Sequence, residues 1–317
     1  MRILDLAQTR GLFSPAEAYR AIEDAYRGYG VHGRVLSEPS STLLRSPAAG
    51  QLTFRFKGAV LPDAGVAGVR LQSGGRSFLY VADARTSEPI GLVDEKWLYR
   101  HRTAMTAAVA AKFLARPGAK VVGLVGTGPI GDEMFGALCH ALDVAEFRVA
   151  ARRPESAAAY AARHGAGGRL KPRAVASPEE AIKGADVAVT ITTAKEAFVK
   201  PGWLAPGALL LSMGGCPEVE FGVLAECGRV IVDDLDFALM QGDFASWVAA
   251  GRITREQVTK RVDANIGEVV AGKKPGRTDP GERILAVIQG MAVCDLALAK
   301  LALDKAAALG RGAVVAP

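Results

Sequence analysis

Behind Ser14-Pro15-Ala16-Glu17 the apolar residues Ala18, Ile22, Ala25 and Tyr26 return every three or four positions. That spacing predicts an amphipathic helix opened by a capping box with proline in its first turn. Beyond Gly33 the texture changes to short β-like runs at 52–57, 67–72 and 78–82, separated by the turn sequences Pro-Asp-Ala-Gly, Ser-Gly-Gly and Asp-Ala-Arg-Thr. An alanine-rich segment over about 94–115 predicts a long helix. From Lys120 an apolar strand gives way to Met134, Phe135, Leu138, Ala141 and Leu142 at helical spacing, and 147–151 reads as a second strand. Ser177-Pro178-Glu179-Glu180 reads as another capping box. The runs 187–191, 208–211 and 230–232 scarcely alternate, as in a parallel sheet buried on both faces. Thr254 predicts an N-cap, and a last alanine-rich helix is expected over about 283–309. The alternation implies an α/β fold with a Rossmann domain and a second, α+β domain.

Length and composition narrow this only a little. A chain of 317 residues suggests two domains of ordinary size. The formal charge of +6 is spread along the sequence, with no dense basic run interleaved with aromatics, so no nucleic-acid partner is expected. Cys139, Cys216, Cys227 and Cys294 have no zinc spacing, so no metal site or disulfide framework is expected, and scattered thiols suit a reducing cytosol. No apolar run is long enough to span a bilayer and the N-terminus does not read as a secretory signal, so a soluble, cytoplasmic protein without membrane partners is expected.

The chemistry concentrates at Gly126-Thr127-Gly128-Pro129-Ile130-Gly131, a G-x-G-x-x-G between strand and helix, the arrangement that holds a dinucleotide pyrophosphate. Gly126 allows the tight turn, Gly128 lets phosphate approach the backbone, and Gly131 lets the helix lie close on the strand. The second strand ends not in the acid that grips an NAD ribose but in Arg152-Arg153. A guanidinium fork suits a 2′-phosphate, so NADP(H) is preferred, with NAD(H) possible; the bland reading leaves both arginines solvated. Among His32, His101, His140 and His164, only His101, beside Arg102, stands near candidate chemistry.

Taken in order, Arg102-Thr103-Ala104, Gly126-Thr127-Gly128, the run from Gly267 to Arg277 and Gly290-Met291-Ala292-Val293-Cys294-Asp295 resemble the ornithine cyclodeaminase and μ-crystallin family over most of the chain. The resemblance implies a substrate-binding and dimerisation domain over 1–115 and 286–317, a Rossmann NADP-binding domain over 116–285, an active site between them, and a homodimer. It assigns Arg102 to a substrate carboxylate and Thr103 to the cofactor phosphates, and adds Thr192, Met213 and Gly214 to the cofactor contacts. Where the family usually has a catalytic lysine after Gly-Val, this chain has Arg70, too basic to donate a proton. Lys57 is the expected proton donor, since burial and neighbouring Arg55 and Arg70 lower an amine pKa; Arg55 shares its strand face, and a solvated face is the alternative. Residues 213–220 lack the cyclodeaminase aspartate and carry Cys216, a candidate for substrate contact, and the family's Pro-Arg pair reads Pro39-Ser40.

These departures favour an NADPH-dependent reductase of an imine or ketimine of a 2-oxo acid, reversibly an amino-acid dehydrogenase. The substrate is then a small carboxylated imine or amino acid. An ornithine or lysine cyclodeaminase, an N-(carboxyethyl) amino-acid dehydrogenase, and an NADPH-binding protein with little catalysis stay open.

Overall fold

The computed structural model describes residues 1–33, 35–45, 53–166 and 168–316, so the start of the run expected at 52–57 lies outside the described residues. By contacts the chain divides into Met1–Thr103 with Met291–Pro317, and Ala104–Gly290. The first division falls inside the helix Lys96–Leu114.

In the first unit, Ser14 caps the helix Pro15–His32 as its sequence requires: Ser14 and Glu17 exchange the two capping-box hydrogen bonds, and Ala18, Ile22, Ala25 and Tyr26 are buried. The strands are β1 Arg2–Leu4, β2 Thr42–Leu44, β3 Phe54–Leu61, β4 Val66–Ser73, β5 Arg76–Asp83 and β6 Pro89–Asp94, with β15 Ala313–Val314 from the far end of the chain. They form one sheet in the order β15-β1-β6-β5-β4-β3-β2. The middle strands run antiparallel, and the period of two sorts their side chains cleanly. In β4, Val66, Gly68 and Arg70 are buried on the face that the helix Ala292–Ala308 covers, while Val69 points outward. Outward positions on neighbouring strands are apolar too: Phe54, Val60 and Tyr80 are exposed alongside Val69.

The second unit is a doubly wound parallel sheet. Its strands are β7 Val121–Val125, β8 Glu146–Ala150, β9 Arg173–Ala174, β10 Val187–Thr190, β11 Leu209–Ser212, β12 Arg229–Val232, β13 Ala264–Asn265 and β14 Ile284–Val287, ordered β13-β12-β14-β11-β10-β7-β8-β9. Every residue of β10, β11 and β14 is buried, which explains their unbroken apolar runs.

Two local expectations need correction. The helix expected over 283–309 begins only at Ala292, and 284–287 is β14, wedged between β11 and β12. Five consecutive apolar residues, Ile284 to Ile288, fit a buried strand or a buried helix equally well; the hydrogen bonds of Ile284 N and Ile288 N to Ala208 O and Ser212 O, both 3.0 Å, decide for the strand. At the second capping box, Ser177 does accept from Glu180 N, but the Glu180 carboxylate accepts from Ala176 N at 3.0 Å, one residue early, so the box is not reciprocal.

Candidate active site

The first unit buries an unusual density of charge under its sheet. Lys57 on β3 and Arg70 on β4 sit directly opposite each other, and both side chains point to the covered face. Arg102, on the helix Lys96–Leu114, and Asp295, on the helix Ala292–Ala308, bring two more charges to the same cluster, and Glu95, just ahead of the first helix, brings another. Arg70 Nε donates to Glu95 Oε2 at 2.6 Å and to Ser77 Oγ at 3.1 Å, while Ser77 Oγ donates to the same carboxylate oxygen at 2.6 Å. Arg70 Nη1 lies 3.7 Å from Asp295 Oδ2, and Arg102 Nε donates to Asp295 Oδ1. The Tyr99 ring carries both guanidiniums, Arg70 at 4.4 Å and Arg102 at 4.7 Å from its centroid.

Burial pushes the Glu95 carboxyl up to about 7 against the pull of Arg70. Burial would also raise Asp295, but Arg102 and Arg70 outweigh it and hold this carboxylate below its usual range. For the two arginines burial opposes the charge and the acids more than offset it, so both stay protonated above the ordinary arginine value. Lys57, Arg70 and Arg102 thus face two carboxylates, one of them reluctant to ionise. Two donors are left over: Arg70 Nη2 and Arg102 Nη1 are buried with no hydrogen-bond partner among the described residues. Each such orphan costs about 1–3 kcal/mol, which an anion accepting from both would recover.

Arg55, half-buried on the same face of β3, donates from Nη1 to Ser41 Oγ at 3.0 Å. Thr103 is buried and donates its hydroxyl to Tyr99 O at 2.7 Å. His101 stacks on Trp97, ring centroids 5.0 Å apart, with Phe13 close by, so packing accounts for its position beside Arg102.

In the second unit the glycine loop leads from β7 into the helix Gly131–Ala141. A Cβ on Gly126 would lie 2.3 Å from Ile191 O and one on Gly131 2.0 Å from Gly126 O, whereas one on Gly128 would meet nothing within 4 Å. The loop is therefore closed against the protein at two glycines and open at the third, the shape that a pyrophosphate cradle at a helix N-terminus requires. Thr127, Pro129 and Ile130 complete it, and none of them is fully buried. Arg152 and Arg153 follow β8 as exposed side chains, with Arg153 3.8 Å from Glu155 across a solvated gap.

The loops after β10 and β11 are tied together by one carboxylate. Glu218 accepts from Thr192 N at 2.6 Å, Thr190 Oγ1 at 2.8 Å and Gly214 N at 2.9 Å, and its own backbone N–H is held by Asp243 at 2.7 Å. Burial pushes Glu218 up to about 7 despite those donors. Met213 is buried, its N–H bonded to Thr190 O, and Gly214 O accepts from Gln289 Nε2 at 3.0 Å. Cys216 is a half-buried free thiol in the same loop.

The sequence therefore singles out Lys57, Arg70 and Arg102, which the fold gathers, but misses their partners Ser77, Glu95, Tyr99 and Asp295 and the anchor Ser41. Asp295 carried a signal: it is an acid inside the otherwise apolar run from Ala292 to Ala299, all of it buried. Among the described residues, no group of three His, Cys, Asp or Glu could hold a metal ion, and no helix is long and apolar enough to cross a membrane.

A dinucleotide loop in one unit and a buried cation cluster in the other define a two-domain α/β protein of the nucleotide-dependent oxidoreductase type. The chain belongs to the ornithine cyclodeaminase/mu-crystallin family, whose profile matches residues 71–309. It is similar to alanine dehydrogenase of Archaeoglobus fulgidus, 28% identical over 96% of this chain and 94% of that one. It is also similar to Delta(1)-pyrroline-2-carboxylate reductase of Bacillus cereus, 29% identical over 73% of this chain and 71% of that one. Among solved structures, a dimeric archaeal alanine dehydrogenase with bound NAD superposes with a TM-score of 0.90 at 26% identity, covering 100% of this chain and 99% of that one.

Proposed function

We propose that this protein is an NAD(P)H-dependent reductase of an imine or ketimine of a 2-oxo acid, reversibly an amino-acid dehydrogenase. The observation that carries the reading is the pair of buried, unpartnered donors Arg70 Nη2 and Arg102 Nη1, which suits a planar carboxylate. A reduced nicotinamide, when bound, supplies the hydride that the imine carbon accepts. Arg102 and Arg70 bind the carboxylate next to that carbon, and the Tyr99 ring together with Asp295 fixes their orientation. Lys57 holds the proton that the imine nitrogen takes up as C=N becomes CH–NH. The fit of the glycine loop supports a dinucleotide in the second unit, gripped by residues 126–131 with Thr192, Met213 and Gly214 as further contacts. The exposed pair Arg152 and Arg153 supports NADP(H) over NAD(H). Membership of a family containing a pyrroline-carboxylate reductase and an alanine dehydrogenase, both acting at a carbon–nitrogen bond, supports the same chemistry.

The first unit is accordingly the substrate and dimerisation domain, and the second the cofactor domain. We infer a homodimer through the outward sheet face, where Phe54, Val60, Val69 and Tyr80 are 36–46% exposed; the archaeal neighbour is itself a dimer. Four free thiols favour a cytoplasmic location.

The test is NADPH oxidation with Delta(1)-pyrroline-2-carboxylate, or with pyruvate and ammonium. Lys57→Met and Arg102→Lys should each lower kcat/KM by about 100-fold, the worth of a charge-assisted contact. Replacing Arg152 and Arg153 with alanine should raise KM for NADPH about 10-fold and leave NADH within about 2-fold. Equal losses for both nucleotides overturn the 2′-phosphate assignment, and binding of NADPH without oxidation across a broad imine panel overturns the reductase reading.

A further inference from the structure

Glu218 takes no part in the carboxylate and proton chemistry of the first unit, yet its buried side chain joins the ends of two neighbouring strands. Its Oε1 accepts from Thr192 N at 2.6 Å, and its Oε2 accepts from Thr190 Oγ1 at 2.8 Å and from Gly214 N at 2.9 Å. One carboxylate thus holds the chain where it leaves β10 and where it leaves β11, strands that pair side by side. Past the last ladder bond each strand leaves N–H groups in need of an acceptor, and a buried carboxylate serves them with charge-assisted bonds in place of water. The glycine at 214 fits this use: a Cβ there would lie 2.5 Å from the Glu218 carboxyl carbon, so a larger residue displaces the acid. A second acid anchors the first. Asp243, on the helix Gly242–Ala249, accepts from Glu218 N at 2.7 Å, from Val219 N at 2.9 Å and from Ser212 Oγ at the end of β11.

The order of the sheet says which half of a dinucleotide these strand ends serve. The chain builds β7, β8 and β9 outward to one side, then returns to place β10 on the other side of β7. Such a sheet takes one mononucleotide on each half. The glycine loop follows β7 and Arg152-Arg153 follow β8, so the adenosine end belongs to β7–β9 and the nicotinamide end to β10 and β11. Resting on the dinucleotide reading above, we infer that Glu218 is a positioning residue for the nicotinamide: by splinting residues 190–192 to Gly214 it fixes the floor under the ring and leaves the adenosine end untouched. Ile191, which backs Gly126, keeps its own bond to Val125 O at 3.0 Å, so the glycine loop does not depend on the splint. Glutamine cannot replace the acid, because its amide nitrogen sets a donor where one of the three donors needs an acceptor.

The experiment titrates the wild-type, Glu218→Gln and Thr190→Val proteins with NADPH and NADH, and with the matching nucleotides that lack nicotinamide, 2′-phospho-ADP-ribose and ADP-ribose. Glu218→Gln should raise Kd for the better-bound reduced nucleotide about 10-fold, the worth of a hydrogen bond to a charged group, and leave its nicotinamide-free fragment within about 2-fold. At saturation the emission of the bound reduced nicotinamide, which reports the surroundings of the ring, should revert toward that of the free nucleotide. Thr190→Val removes one of the three donors at nearly constant shape and should weaken the reduced nucleotide alone by about 3-fold, and it carries the test by itself if Glu218→Gln does not fold. Equal weakening of nucleotide and fragment, or wild-type affinity in the folded variants, overturns the inference and leaves the dinucleotide reading standing. A wild-type protein that binds none of the four nucleotides overturns both.

Discussion

Asp295→Asn is the sharpest probe of the buried cluster, because it removes a charge while keeping the shape. Asp295 is 1% exposed and is the shared counter-ion of Arg102 and Arg70. Deleting one partner of a buried ion pair costs about 3–5 kcal/mol, since the remaining charge stays out of water. Glu95 softens the loss: without a neighbouring anion it ionises more readily and pairs with Arg70, to which it is already bonded at 2.6 Å. The cost should therefore fall near the low end, about 3 kcal/mol, or a drop in Tm of roughly 10 °C for a unit of this size. The two stranded guanidiniums should also turn into an anion site. With a Kd near 10 mM, 100 mM acetate would return about 1.4 kcal/mol to the variant and much less to the wild type. Thermal unfolding of both proteins, with and without acetate, reads this directly. A variant within 1–2 °C of wild type, or equal stabilisation of both by acetate, refutes the counter-ion account.

Glu95 offers a test by pH. Its folded-state pKa stands at about 7 against an ordinary 4.5, so its contribution to stability is full below pH 4.5 and is lost as pH rises through 7. Glu95→Gln stays neutral throughout, so its Tm relative to wild type should improve between pH 5 and 8; a constant difference over that range sinks the argument. In the glycine loop, Gly131→Ala must push a Cβ against Gly126 O and should destabilise the second unit by several kcal/mol in chemical denaturation, whereas Gly128→Ala fits its open space. Gly128→Ala should leave Tm within about 2 °C while weakening NADPH binding at least 10-fold by fluorescence titration, and unchanged affinity would show that phosphate does not approach there.

The parts of the molecule set by local pattern were legible in the chain. The helix behind Ser14, the glycine loop with its flanking strand and helix, and the unbroken strands β10 and β11 follow from periodicity and capping within a dozen residues. The family followed from short motifs in order. β14 was not legible, because an apolar run alone does not say whether it is bounded by strands or by a helix, and only its neighbours β11 and β12 settle the matter. Arg55 and Lys57 could be chosen from strand alternation, and Arg70 and Arg102 from the family resemblance, yet their counter-ions could not. Arg102 and Asp295 are 193 positions apart, and no local rule joins an arginine on one helix to an acid on another. Glu218 was hidden for a similar reason: a glutamate four residues past Gly214 looks like loop decoration until its carboxylate is found collecting donors from two strand ends.

The pairing of β1 with β15 has a consequence for synthesis on the ribosome. Arg2 and Ile3 wait for Val314 and Ala313, and the charged inner face of β3–β5 waits for the helix Ala292–Ala308. The 187 residues of Ala104–Gly290 are made in between, which takes roughly 10–40 s at ordinary elongation rates. Throughout that interval the inner face of the nascent amino-terminal sheet lacks the helix Ala292–Ala308 and carries Lys57 and Arg70 without Asp295, while the outward face exposes Phe54, Val60, Val69 and Tyr80. Newly made chains should therefore engage chaperones through their first hundred residues, and release should track the emergence of the last helix.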